Sequence, residues 1–243
     1  MHEEEPQPVS PCLRLFCVPF AGGNAYSYKD LKKHLAGFVE LVALELPGRG
    51  RRFGEPLLTC LDEMVADLHS QIRGQASGSC ALYGHSMGGR LVALVARRML
   101  QEGTGTPAHL FVSGCPAPSA VRPRRRHLLP RDEFISMLHQ MDCPPEVLRN
   151  EELMEVFEPV LRADFEANDT FQHRPQTPLH VPITAMLGTS DETTREEVLR
   201  WQEETTTELS VQEFDGGHFF IFDHLPQVGE ILSRKLLTAL SPE

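Results

Sequence analysis

Ser86 stands in the run Tyr83-Gly84-His85-Ser86-Met87-Gly88-Gly89. A Gly-x-Ser-x-Gly stretch has a mechanical meaning when a strand precedes it and a helix follows. The chain turns so sharply at the serine that its backbone is strained, and small flanking residues keep that turn free of collisions. The hydroxyl then projects from the top of a sheet at the positive end of the next helix. Residues 80–83 form a short apolar run that predicts a buried strand. Residues 87–100 predict a helix in which Arg90 is the only polar side chain before Arg97. In this context Ser86 reads as a nucleophile, against the plainer reading of a tight turn with a bystander serine.

A serine hydroxyl is a weak nucleophile at neutral pH and needs a base, which in turn needs an orienting acid. In a strand–turn–helix architecture of this kind the chain order is serine, carboxylate, histidine. His218, in Asp215-Gly216-Gly217-His218-Phe219-Phe220, follows a strand, and its two glycines let the loop carry the imidazole over the serine. His224 and His173 are weaker bases because neither follows a strand end. Asp191, in Leu187-Gly188-Thr189-Ser190-Asp191, is the expected acid; Glu192 is adjacent to it, and Asp164 is its main competitor. The acid would hold the imidazole tautomer and stabilise imidazolium without taking its proton. The oxyanion hole is expected from the backbone N–H of Met87 and from that of Ala21 in Pro19-Phe20-Ala21-Gly22-Gly23. That loop could also be a plain glycine turn.

Strands expected at 13–18, 38–46, 80–83, 109–113, 181–187 and 209–214 alternate with helices at 28–35, 61–72, 87–100, 196–204 and 226–240. Leu61, Met64, Val65, Leu68 and Ile72 recur at helical spacing, with Thr59 in the N-cap position. Strand–helix alternation predicts an α/β fold, a mostly parallel sheet with helices on both faces. Residues 130–177 break the alternation: they contain helix-like pieces at 132–140, 145–150 and 151–168 and no strand. This stretch is expected to be a helical lid inserted over the carboxyl edge of the sheet, within a single domain spanning 1–243. An ordinary helical excursion over the core is the alternative.

Composition narrows the class. The chain has 243 residues, 41% of them hydrophobic, and a formal net charge of −11. That suits one sizeable domain and argues against a nucleic-acid partner. No apolar run reaches the roughly 20 residues that span a bilayer, so no membrane association is expected. The acidic start Met1-His2-Glu3-Glu4-Glu5-Pro6 is the reverse of a secretory signal, and the first eleven residues read as a loose tail. The six cysteines are scattered, with Cys17, Cys80 and Cys115 in or beside strand-like runs. A reduced, cytoplasmic protein without disulfides, metal or other cofactor is expected.

Taken together the motifs resemble one family. They are Val18-Pro19-Phe20-Ala21-Gly22-Gly23, Glu45-Leu46-Pro47-Gly48-Arg49-Gly50-Arg51-Arg52, Gly84-His85-Ser86-Met87-Gly88, Val112-Ser113-Gly114 with Ala117-Pro118, Leu161-Arg162-Ala163-Asp164-Phe165, residues 188–191, and Gly216-Gly217-His218-Phe219-Phe220. In this order and spacing they resemble the type II thioesterases of nonribosomal peptide and polyketide assembly lines, an α/β-hydrolase fold group that also holds medium-chain acyl thioesterases. The Pro-Gly-Arg and Leu-Arg-Ala-Asp-Phe stretches separate it from general lipases. The resemblance implies Ser86, Asp191 and His218 as the triad and Ala21 and Met87 as oxyanion donors. It implies an acyl thioester on the 4′-phosphopantetheine arm of a carrier protein as substrate, and housekeeping clearance of stalled carriers as purpose. The phosphopantetheine belongs to the partner, and the enzyme is expected to act as a monomer. Gly89 departs from the alanine common there, and Phe171 from an expected tyrosine.

Two arginine groups, Arg122, Arg124, Arg125 and Arg126, and Arg49, Arg51 and Arg52, stand out in an acidic chain. They could steer docking of an acidic carrier protein, or could be solvated loops. The rival readings are a general carboxylesterase, a medium-chain fatty-acyl-releasing thioesterase, and a non-catalytic binding protein on the same scaffold.

Overall fold

The computed structural model describes residues 13–75, 79–120, 124–143 and 145–240. Six strands make one parallel sheet: β1 (Leu13–Val18), β2 (Val39–Ala43), β3 (Ser79–His85), β4 (Leu110–Ser113), β5 (Ile183–Gly188) and β6 (Leu209–Phe214). Their order is β2-β1-β3-β4-β5-β6, so β1 and β3 lie side by side near the centre with Val18 opposite Gly84.

The period-2 alternation of the strands divides the core into two layers. Phe16, Val18, Leu82, Leu110, Val112 and Ile183 face one layer, packed by α1 (Leu61–Arg73) and α2 (Met87–Gln101). Leu13, Leu15, Cys17, Ala81, Tyr83 and Phe111 face the other, packed by the C-terminal helix (Leu225–Leu240) and the loop bearing Tyr28 and Leu31. Both faces of the sheet are therefore covered, as a parallel sheet requires. Cys17, Cys80 and Cys115 are all buried.

Several boundaries differ from expectation for local reasons. The second strand is only Val39–Ala43, because Leu44 to Leu46 leave the ladder to enter the Pro47-Gly48 turn. Residues 28–35 give only a 3₁₀ turn at Leu31–His34. Cys60, not Thr59, is the N-cap of α1, and it makes no side-chain capping bond. Near residue 196 the helix is split: α6 (Arg195–Leu199) starts on a Thr194–Glu197 capping box and then tightens to a 3₁₀ turn over Arg200–Glu204. That turn buries Trp201 completely, with its indole Nε1 donating to Cys115 O at 3.0 Å.

Between β4 and β5 the chain builds α3 (Arg131–Gln140), α4 (Pro145–Leu148) and α5 (Glu151–Asp169). They own a separate apolar cluster of Phe134, Leu138, Leu148, Met154, Leu161 and Phe165. Asn150 caps α5 by accepting from Leu153 N. No helix among the described residues is long and apolar enough to cross a membrane.

Candidate active site

The turn from β3 into α2 places Ser86. Its φ of 56° and ψ of −121° lie in the strained region that a non-glycine residue occupies only when the surroundings impose it. Two glycines make that turn sterically feasible. A Cβ on Gly84 would lie 2.1 Å from Gly88 O, and one on Gly88 would lie 2.2 Å from Val18 O. The helix can therefore start directly above β1 and β3, with the Ser86 side chain at the carboxyl edge of the sheet.

The three residues expected to act together are brought together from three separate loops. His218 Nε2 lies 3.0 Å from Ser86 Oγ. His218 Nδ1 lies 3.1 Å from both carboxylate oxygens of Asp191. The Asp191 side chain is fully buried and also accepts from Thr193 N at 3.2 Å, and His218 is 7% exposed. Asp191 sits in the turn after β5, and its own N–H donates to Gly188 O. Gly188 packs under the histidine loop, where a Cβ would meet Gly217 O at 2.4 Å. The Phe219 ring packs edge-on against His218, with Phe20 behind it.

A second histidine lies beneath the first. His85 is fully buried, its ring centroid 5.0 Å from that of His218, and its Nδ1 pairs with Ser113 Oγ at 2.9 Å. Burial, with His218 close by, holds its pKa well below the ordinary histidine value, so it is a neutral spacer.

Ala21 and Met87 both line the cavity at Ser86. That cavity is about 340 Å³. Its wall is the apolar inner side of α3, α4 and α5, with Leu138, Leu148, Met154, Phe157 and Leu161 among the lining residues.

Asp164, the competitor for the acid, is not near His218's ring nitrogens in the hydrogen-bond network. It is wholly buried on α5, where it accepts both ends of the Arg49 guanidinium and the N–H of Gly22. A second carboxylate does parallel work. Glu45 accepts from Ala25 N at 3.0 Å and from Arg51 N at 2.9 Å. Loop 20–25, which carries Ala21, is thus held by two buried acids. Both motifs stand out in the sequence, but their mutual use depends on Arg49 and Asp164 meeting across 115 positions.

This pairing corrects the docking expectation for Arg49, which faces inward and is 4% exposed. Arg52 spans Glu55 and Asp67. Arg126 holds Asp169, and Arg124 meets Glu192 at 2.6 Å. Arg51 and Arg125 are exposed, and Arg122 lies outside the described residues. His224 donates to or accepts nothing at the site, since its Nε2 faces Asp215 O, and His173 lines a cavity beyond α2. Gly89 sits where an added Cβ would be 3.0 Å from the Cys115 Cβ, so glycine suits the neighbouring cysteine. Phe171 lies beneath the Arg90 guanidinium, 5.2 Å from its centre.

Comparison with known proteins shows the family. The family model described as a thioesterase domain matches residues 13–236. The gramicidin S biosynthesis protein GrsT of Aneurinibacillus migulanus is 35% identical over 234 residues, covering 95% of this chain and 91% of its own. The crystal structure of ClbQ from the colibactin NRPS/PKS pathway superposes with a TM-score of 0.89 at 30% identity, covering 95% of this chain and 98% of that one. The type II thioesterase BorB from the borrelidin biosynthetic cluster superposes with a TM-score of 0.87 at 33% identity, covering 95% of each chain.

Proposed function

The chain belongs to the thioesterase family, and from that premise we propose that it is a type II, editing thioesterase. On this reading it hydrolyses acyl groups from the 4′-phosphopantetheine arm of acyl or peptidyl carrier proteins. The single observation that carries the mechanism is the relay from Asp191 through His218 to Ser86 at 3.1 and 3.0 Å.

His218 Nε2 takes the Ser86 proton as Oγ attacks the thioester carbonyl. The N–H groups of Ala21 and Met87 receive the developing oxyanion, each donor worth roughly 10²–10³ in rate. The tetrahedral intermediate collapses by breaking the C–S bond, and His218 returns its proton to the departing thiolate. Water, deprotonated by the same imidazole, then attacks the acyl-serine and releases the acid. Asp191 keeps Nδ1 protonated and stabilises the imidazolium throughout. These steps call on no metal or bound cofactor; the phosphopantetheine enters with the substrate.

Helices α3–α5, within 130–177, act on this reading as a lid whose inner face forms the acyl cavity. Relatives from NRPS/PKS clusters support a carrier-protein partner, and this reading puts the encounter in the cytoplasm. They favour editing over release of medium-chain fatty acids or general ester hydrolysis. Of the two arginine groups, the exposed members Arg51, Arg124 and Arg125 are the docking candidates on this acidic chain, which acts as a monomer.

The test compares one short acyl group on a phosphopantetheinylated carrier protein, on a small thiol and on p-nitrophenol, with Ser86→Ala as control. A strong carrier preference in kcat/KM, lost in the variant, is the expected result. Equal or better turnover of the oxygen ester, with no gain from the carrier, would move the protein to the general esterases.

A further inference from the structure

The chamber at Ser86 has two unlike ends. Beside the apolar cavity of about 340 Å³ lies a polar one of about 60 Å³, and Ser86, Met87 and His218 line both. One water needs at least about 10–15 Å³ of such space, so the smaller end holds only a few heavy atoms. Its wall carries Arg90, Arg124 and Arg126 together with Asp169, Glu192 and Glu197.

Two of these arginines are matched with acids. Arg124 meets Glu192 at 2.6 Å and Arg126 meets Asp169 at 2.7 Å. Arg90 is different. It lies one helical turn beyond Ser86 on α2 and is 4% exposed, yet among the described residues no carboxylate comes within ion-pair distance of it. Its Nη1 donates to Asn168 O at 3.0 Å and to Asn168 Oδ1 at 2.6 Å, at the last turn of α5. Its Nε is buried without any hydrogen-bond partner, and no described residue accepts from Nη2. The carbonyls at the α5 terminus thus occupy one corner of the guanidinium. The Nε–Nη2 edge, the fork that receives carboxylates bidentately, is left open.

A buried cation with no counter-ion is costly, and a buried donor with no acceptor adds a smaller cost to it. Both deficits are removed by one carboxylate arriving with the substrate. We propose that Arg90 makes the polar end of the chamber a carboxylate subsite, admitting short dicarboxylic acyl groups such as malonyl or succinyl. The helical offset of four residues places this fork on the same face of α2 as the nucleophile, within reach of a two- or three-carbon acid attached at Ser86. The proposal rests on the thioesterase reading and adds the class of acyl group.

The experiment measures kcat/KM for malonyl, succinyl and butyryl thioesters of N-acetylcysteamine, which lack the carrier and its phosphate. Wild type, Arg90→Gln and Arg90→Lys are compared. The malonyl-to-butyryl ratio should fall at least about tenfold in Arg90→Gln, the worth of a charge-assisted pair, and less in Arg90→Lys. An unchanged ratio would show that Arg90 only caps α5 and would overturn the proposal. In a parallel arm free of turnover and of variants, the wild type is melted with malonate and with neutral malonamide. Malonate alone should raise the melting temperature; equal effects would overturn the proposal. Failure of the butyryl ester to turn over in the wild type would instead strike the thioesterase reading, which the melting arm does not depend on.

Discussion

Asp164 on α5 receives Arg49 through both carboxylate oxygens, at 2.5 and 2.8 Å, and the same carboxylate accepts the Gly22 N–H at 2.7 Å. One buried ion pair therefore ties the helical insertion, the turn after β2 and the loop carrying Ala21. Removing one partner strands a buried charge, which costs about 3–5 kcal/mol, whereas removing both can be close to neutral. Asp164→Ala should lower unfolding stability by that amount in denaturant titration, and Asp164→Leu with Arg49→Met should recover most of it. In the double variant kcat should still fall, because the loop of the oxyanion donor has lost its tether. A double variant as active as wild type would show that the pair only stabilises.

The two aspartates should separate cleanly in kinetics. Asp191→Asn keeps the shape but favours the wrong imidazole tautomer, so kcat should drop about 10⁴-fold with little change in melting temperature. Ser86→Ala should lose roughly 10⁶-fold. A mild effect in Asp191→Asn would point to another acid for His218.

The serine turn should be intolerant of a single methyl group. In Gly88→Ala the new Cβ meets Val18 O at 2.2 Å and Pro19 O at 2.7 Å, both backbone atoms that cannot rotate away. Destabilisation of at least about 3 kcal/mol is expected from chemical denaturation. Gly54→Ala, where an added Cβ meets nothing within 4 Å, serves as the control and should stay near wild type.

Acid should weaken the fold through two histidines. His109, stacked on Phe111 and paired with Thr184, is pushed down to about 3 by burial, and His85 is held well below its ordinary value for the same reason. Both pKa values are lower in the folded state, so the unfolded chain binds more protons below its ordinary value near 6.5. The stability they support is complete above that pH and declines as pH falls below it, by about 1.4 kcal/mol per pH unit for each histidine. Unfolding free energies measured from pH 7 to pH 5 should show this slope, and His109→Gln should remove the share of it that His109 carries. A flat profile would mean that both rings are protonated in the folded state.

Much of this was readable along the chain because it is local. Gly84, Ser86 and Gly88 specify a strained turn by the sizes of adjacent residues. The alternating strands and 3.6-residue helices declare a parallel sheet before any pairing is known. Asp191 and His218 follow from strand ends, since in such a sheet those ends share one edge. What the sequence could not settle depends on partners far apart in it. Thr59 and Cys60 are equivalent until the first turn of α1 is packed. Arg49 reads as a surface cation until Asp164, 115 positions away, is folded against it. Arg90 looks like any polar residue on a helix until the strands, α5 and Phe171 bury it beside Ser86 without a counter-ion among the described residues. Local sterics and periodicity are written in neighbouring residues, so sequence alone determined the fold class and pointed to Ser86, Asp191 and His218 as the candidates. Charge pairing and burial arise only when distant segments exclude water together, so the tertiary structure decided what each arginine does.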